Sequence, residues 1–272
     1  MRHRAGGCCA MKKAVLVDDL APYFNDPCWM WVLLAREAST AVILRRGPTQ
    51  WWHVVEWDTR RDSFVKGQWF RGRLYPGKCD VSPDGKLLVY FGGKFRAYKS
   101  GGYGDTWTAV SRPPYLTALA LWPVGGTYGG GGVFLDNRTV TFRCSAPLYE
   151  GRHHPDHPPG PLRIVEPWKA AEPVSRRTHG DMILECETMQ PSRRKRMFTL
   201  NRADGSPSDQ FEAHWADFDQ LGRIVATVGG RVLAASRKFG EPLRWQVLAD
   251  FHEERPQRME APEWAQRWML SD

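Results

Sequence analysis

"KCDVSPDGKLLVYF", residues 78–91, is the stretch whose reading decides the fold. It is a short apolar run, a Ser-Pro-Asp-Gly break and a second apolar run. Asp84-Gly85 supplies tight-turn chemistry, because glycine takes positive φ without a Cβ clash. After the turn Leu87, Val89 and Phe91 alternate with Leu88 and Tyr90, which is the period of a strand. The stretch is a hairpin, and the question is whether it recurs.

It does. "HWADFDQLGRIVATVGGRVLAAS" (214–236) keeps the same order: a run bearing Trp and Asp, a turn at Gly222, an apolar run and a second turn at Gly229-Gly230. "LALWPVGGTYGGGGVFLDNRTVTF" (119–142) reads as a third copy, with turns at Gly125-Gly126 and Asp136-Asn137. "WVLLAREASTAVILRRGPTQWWHVVEWD" (31–58) reads as a fourth, broken at residues 37–39 and at Gly47-Pro48. Gly85 and Gly222 lie three units of ~45 residues apart, the length of a four-stranded propeller blade. Trp69, Trp107 and Trp245 each follow a polar hairpin, as an outermost strand does, and give the same spacing. The weakest copy falls between Cys144 and Gln210, where "DMILECETM" and "KRMFTLNR" supply two strands around a basic turn at 192–195.

The expected fold is therefore all-β: a β-propeller of five blades of about four antiparallel strands, with "APEWAQRW" as a short C-terminal helix. Radial packing buries both faces of sheets that cannot hide their faces or edges alone. A β-sandwich or two small β domains would also show hairpins, but not a unit recurring near ~45 residues. The chain ends are expected to meet in one blade, "KAVLVDDL" against "LRWQVLADF". Trp264 and Trp268, four apart, are expected on one buried face of the terminal helix.

The bulk composition agrees. A chain of 272 residues with 42% hydrophobic and 25% charged residues is globular, and thirteen Trp suit sheet faces and rims. The net charge of +8 is compatible with a polyanion binder. The doublets Arg45-Arg46, Arg60-Arg61 and Arg176-Arg177 are far apart in the chain, which reads instead as charge dispersed over a solvated surface. No run approaches the ~20 apolar residues of a membrane span. Residues 1–10 lack strand periodicity and an apolar signal core, so they read as a flexible, dispensable leader, with Met1 or Met11 as the start and residues 11–272 as a single domain. The six Cys contain no C-x-x-C pair, and three lie in apolar strand-like runs, which points to a reduced, cytoplasmic protein.

The run "GQWFRGRLYPGKCDVSPDGKLLVYF", followed by "TWTAVSRPPYLTALALW", "GGGGVFLDN" and "APEWAQRW", resembles a group of uncharacterised bacterial proteins of planctomycetes and myxobacteria. "SPDGKLLVYF" by itself resembles the WD40-like repeats of bacterial propellers. The resemblance runs from about residue 35 to residue 268 and is weakest between 148 and 206. It implies a bacterial origin and a one-domain fold, and it assigns no activity or site.

Several stretches are candidates for chemistry. In "GRHHPDHPPG" (151–160), His153, His154, Asp156 and His157 are types that bind Zn or Ni. Flanking prolines in an irregular region predict a mobile loop without a supporting shell, and so no tight structural metal. The glycines at 129–132 lack the Lys and helix of a phosphate loop, and read as a close approach of backbones. Pro113-Pro114 suits a cis bond or a bend. Arg193, Arg194, Lys195 and Arg196 form a basic run that suits polyanion contact, or more commonly a solvated hairpin tip. No G-x-S-x-G elbow is present. Asp80, Asp84, Asp217 and Asp219 are candidate glycosidase carboxylates, although each also suits turn duty.

The function expected is a non-enzymatic scaffold without a cofactor, binding a protein partner through loops at one face. A hydrolase would instead show a central pocket lined by several carboxylates. A polyanion or nucleic-acid binder would show a contiguous basic face.

Overall fold

The computed structural model describes residues 14–15, 27–95, 105–143, 153–165, 176–186, 196–204, 209–236 and 243–268. They form five sheets of three to five strands. Strand β1 (Ala14–Val15) stands apart from the strands that follow it in the chain and joins the fifth sheet. The first sheet is an antiparallel meander of β2 (Trp29–Leu34), β3 (Thr40–Arg46), β4 (Trp51–Asp58) and β5 (Ser63–Arg71). In the second, β6 (Arg73–Leu74) and β7 (Asp80–Val81) flank a 3-10 turn at Pro76–Lys78. Both pair with β8 (Leu88–Gly93), which is followed by β9 (Thr106–Ser111) and β10 (Ala120–Pro123).

Among the described residues the third sheet contains β11 (Gly132–Phe134), β12 (Thr139–Phe142) and β13 (Arg163–Val165), and its last pair is parallel. The fourth contains β14 (Arg176–His179), β15 (Met182–Cys186), β16 (Arg196–Arg202) and β17 (Asp209–Ala213). The fifth contains β18 (Trp215–Phe218), β19 (Ile224–Val228), β20 (Arg231–Ser236) and β21 (Arg244–Asp250). β1 lies against β21 in register Ala14↔Gln246 and Val15↔Trp245, so the two ends of the chain share a sheet as expected.

The repeating turn is real. Gly85 (φ +79°) joins β7 to β8 and Gly222 (φ +75°) joins β18 to β19, and both sit in the left-handed region. The Gly85 N–H donates to the Ser82 carbonyl at 2.8 Å, and that of Gly222 to the Asp219 carbonyl at 2.9 Å. Two details differ from expectation. The stretch 119–142 is not one copy but straddles a boundary, with β10 at the edge of the second sheet and β11–β12 in the third. Of the three tryptophans, only Trp69 lies in an outermost strand, β5; Trp107 lies in β9, with β10 paired outside it, and Trp245 in β21, with β1 paired outside it.

The long apolar runs are continuous because both faces of the sheets are buried. Along β3, Ala41 and Ile43 enter a core shared with the fifth sheet, while Val42 and Leu44 enter one shared with the second. Along β8, Leu88 and Tyr90 face the first sheet and Val89 the third. Along β19, Ile224, Ala226 and Val228 face the fourth sheet and Val225 the first. Each fully buried aliphatic side chain contributes about 1.5–3 kcal/mol, so two-sided burial makes these middle strands the stable part of the fold. Among the described residues, four cores join the sheets in the sequence third, second, first, fifth, fourth. No described helix is long and apolar enough to cross a membrane.

After β21 the chain runs back over the first sheet. Arg45, buried to 1% exposure, donates to the carbonyls of Phe251 (2.8 Å), His252 (2.9 Å) and Glu254 (3.4 Å), and to that of Gly47 (2.6 Å). Lys66 pairs with Glu254, and the Gln68 amide donates to the Met259 carbonyl at 3.1 Å. The tail ends in a four-residue helix, α1 (Glu263–Gln266), whose inward residue is Ala265. Trp264, one position away and so turned by ~100°, is 46% exposed and touches only the edge of Tyr115 among the described rings. Trp268 instead packs against the core of the second and third sheets. The expectation that both Trp share a buried face is corrected: Trp264→Ala should cost about 1 kcal/mol in urea unfolding, the worth of one edge-on aromatic contact.

His53, on β4 beside Arg45, is stacked on Trp69 with ring centroids 4.3 Å apart. Burial pushes its imidazole down to about 4; Glu254 opposes this, while Arg45 and Lys66 add to it. A depressed histidine contributes stability that is present above its unfolded value near 6.5 and is lost as pH falls toward 4. The loss between pH 7 and pH 4 is about 3 kcal/mol. Urea midpoints of His53→Gln should therefore fall less steeply with acid than those of the native protein. Burial raises the pKa of Asp80, Asp217 and Glu56, which acts in the opposite sense but is common to both proteins. Equal acid slopes would refute the assignment.

Candidate functional site

The carboxylates fall into two kinds. Asp84 and Asp219 perform turn duty. Asp84 accepts the Ser82 hydroxyl and the Lys86 N–H, and Asp219 accepts the N–H groups of Leu221 and Arg223. Asp80 and Asp217 are not turn residues but lie in β7 and β18, where they tie neighbouring sheets together. Asp80 accepts the Phe134 N–H at 2.9 Å and pairs with Arg36 at 3.5 Å, and Arg36 donates to the Phe134 carbonyl. Asp217 meets Arg177 of β14 at 3.0 Å. Burial raises both carboxyls, and the arginines and backbone N–H groups pull them back. Each of these carboxylates is matched by an arginine of an adjacent sheet, an arrangement suited to holding sheets rather than to general acid–base work.

The histidine stretch is hydrogen-bonded to a strand of the second sheet. The His154 N–H donates to the Leu121 carbonyl at 2.8 Å, and the Leu121 N–H donates to that of His157 at 3.1 Å, so the loop borders β10. His154 and His157 have ring centroids 5.6 Å apart, and the Asp156 N–H donates to His154 Nδ1. Among the described residues, no group of three or more His, Cys, Asp or Glu side chains is placed to hold a metal, and His153, His154, Asp156 and His157 do not converge on one point. Cys28, Cys79 and Cys186 are buried as thiols, and burial pushes Cys79 up to about 12.

Of the basic run, Arg193, Arg194 and Lys195 lie outside the described residues, as do residues 1–10. Arg196 is not at a tip. It begins β16, is 5% exposed, and lies over the Trp31 ring at 4.8 Å. Pro113-Pro114 is cis, as is Gly47-Pro48.

The positive charge that matters lies elsewhere. A cleft of about 1040 Å³ opens where the ends of β3, β5, β6 and β8 come together beside the residue that follows β12. Its cations are Arg46, Arg71, Arg73, Lys78, Lys94 and Arg143, and among the described residues no Asp or Glu lines it. Trp29, Trp52, Tyr75 and Phe95 supply its apolar surface. Aromatic rings hold several of these cations. Arg73 lies over Phe95 at 5.6 Å, Lys94 over Phe70 at 5.4 Å, and Lys78 over Phe91 at 5.0 Å. An ion pair would cancel the charge, whereas a ring orients a cation and leaves its charge to a ligand. Lys78 is a special case, since its ammonium also donates to the carbonyls of Thr127, Tyr128 and Gly129 at 2.8–3.0 Å. That leaves the exposed side chains of Arg71, Arg73, Lys94 and Arg143 facing solvent at the cleft.

The chain matches no protein-family model and no curated protein. One solved structure similar to it is that of the uncharacterized protein lmo1340 from Listeria monocytogenes EGD-e, at 9% identity and a TM-score of 0.34. The match covers 76% of this chain and 62% of that one, so this chain spans less than two thirds of the length of the protein it matches.

Proposed function

We propose that the five sheets close into a single-domain β-propeller of the WD40-like kind, and that the protein is a non-enzymatic binding module taking an anionic partner in the cleft between its first and second sheets. Cores shared between adjacent sheets, together with the pairing of β1 with β21, support the propeller. The observation that carries the binding reading is the described lining of the cleft: six cations, no carboxylate, and rings holding the charges in place. A hydrolase reading would need convergent carboxylates, and Asp80 and Asp217 are instead matched to arginines.

The test is titration with heparin, a polyanion without bases, followed by Trp fluorescence at two salt concentrations. Binding should weaken steeply with salt, since the contacts are solvated charges. The triple variant Arg71→Gln/Arg73→Gln/Lys94→Gln should lose at least ~10-fold in affinity, about 1.4 kcal/mol. The control Arg255→Gln/Arg258→Gln, which removes exposed tail cations of the same type, should bind as the native protein does. Equal losses in both variants would show dispersed surface charge and overturn the cleft.

A further inference from the structure

We infer that the ligand of this cleft is single-stranded nucleic acid, an inference that rests on the anion-binding reading above. A polyanion such as a sulfated sugar or an acidic peptide needs only cations. This cleft also presents aromatic surface among them: Phe95, two residues beyond β8, is 52% exposed, with the Arg73 guanidinium over its ring. An exposed Phe beside a guanidinium plane is a stacking platform, and stacking on such rings is how proteins hold unpaired bases without reading their sequence.

The arrangement of charge suits a strand. Arg71 and Arg73 flank Gly72 between the first two sheets, Lys94 follows β8, and Arg143 follows β12 of the third sheet. The cations thus belong to three successive sheets, an arrangement that suits phosphates spaced along a backbone. The volume is at the upper end of small-ligand pockets, which suits a few nucleotides.

The test uses the full chain and fluorescence anisotropy with a labelled 15-mer of thymidylate, the same 15-mer as a duplex with its complement, heparin, and poly-glutamate. The expected order is single strand tighter than duplex. Phe95→Ala should weaken the single strand about 5- to 150-fold, the range for losing one stacked base, and leave heparin unchanged. Phe95→Trp, which keeps a stacking face, should retain affinity, and matched melting temperatures guard against unfolding. If Phe95→Ala leaves the single strand unaffected, or weakens it and heparin equally, the site is a plain polyanion site and the nucleic-acid inference falls. The same follows if poly-glutamate binds more tightly than the oligonucleotide. If no polyanion binds, the anion-binding reading falls with it.

Discussion

Arg45→Met should leave the protein at least ~3 kcal/mol less stable in urea unfolding, and should release the tail at 251–268 to proteolysis. The side chain is 1% exposed, yet among the described residues it donates to carbonyls rather than to a carboxylate. Its charge is carried by four of these carbonyls, three of them from the returning tail, and by the Trp69 ring at 5.4 Å. Methionine fills a similar volume and removes every donor. Each buried carbonyl then left without a partner costs about 1–3 kcal/mol, and several are affected at once. Arg45→Lys should recover part of the loss, because one ammonium cannot reproduce the planar fork that reaches both Phe251 and Gly47. A melting temperature for Arg45→Met within a degree or two of the native value would mean that the tail is held by other contacts.

The same residue shows where the sequence misleads. The Arg45-Arg46 doublet reads as solvated surface charge, but a strand sends neighbouring side chains to opposite faces. Arg45 turns inward and is consumed by the tail, while Arg46 lines the cleft. Two adjacent and identical letters therefore have unrelated fates, fixed by partners about 206 residues away. What depends on local period was legible. The turn at Gly85, its copy at Gly222 and the strand runs on both sides are visible in the sequence, because tight turns and two-sided burial leave marks within a few residues. The pairing of the chain ends was legible too, since only two strand-like runs lay at the ends.

The cleft was not legible, because five of its six cations come from the ends of five different strands. Arg46, Arg71, Arg73, Lys94 and Arg143 form no run, and only the topology collects them. The signal that was available is positional: each of these cations sits at, or one residue beyond, a strand end, and those ends fall on the same side of their sheets. The densest basic run, at 193–196, drew attention instead, and its one described member is buried.

Gly131→Ala should destabilise the protein by about 4 kcal/mol and weaken anion binding with it. Gly131 has φ +81°, where an L-residue costs about 1–2 kcal/mol from its own backbone. Steric contact costs more than that. A Cβ at this position would lie 2.1 Å from the Lys78 carbonyl oxygen and 2.7 Å from the Lys78 Cβ, so backbone rather than a flexible side chain must move. The glycine is fixed on its other side, since its N–H donates to the Thr108 hydroxyl at 2.8 Å. Lys78 is held in turn by the three carbonyls just before this glycine. Displacing either partner therefore pulls apart the junction of the second and third sheets and shifts the 3-10 turn that floors the cleft. Gly125→Ala is the control: its φ is +78°, and nothing lies within 4 Å of the added atom, so it carries the backbone strain alone. The difference between the two variants measures the close approach of backbones that the four consecutive glycines make possible. Equal losses would reduce Gly131 to a matter of backbone angle and free the cleft floor from any dependence on it.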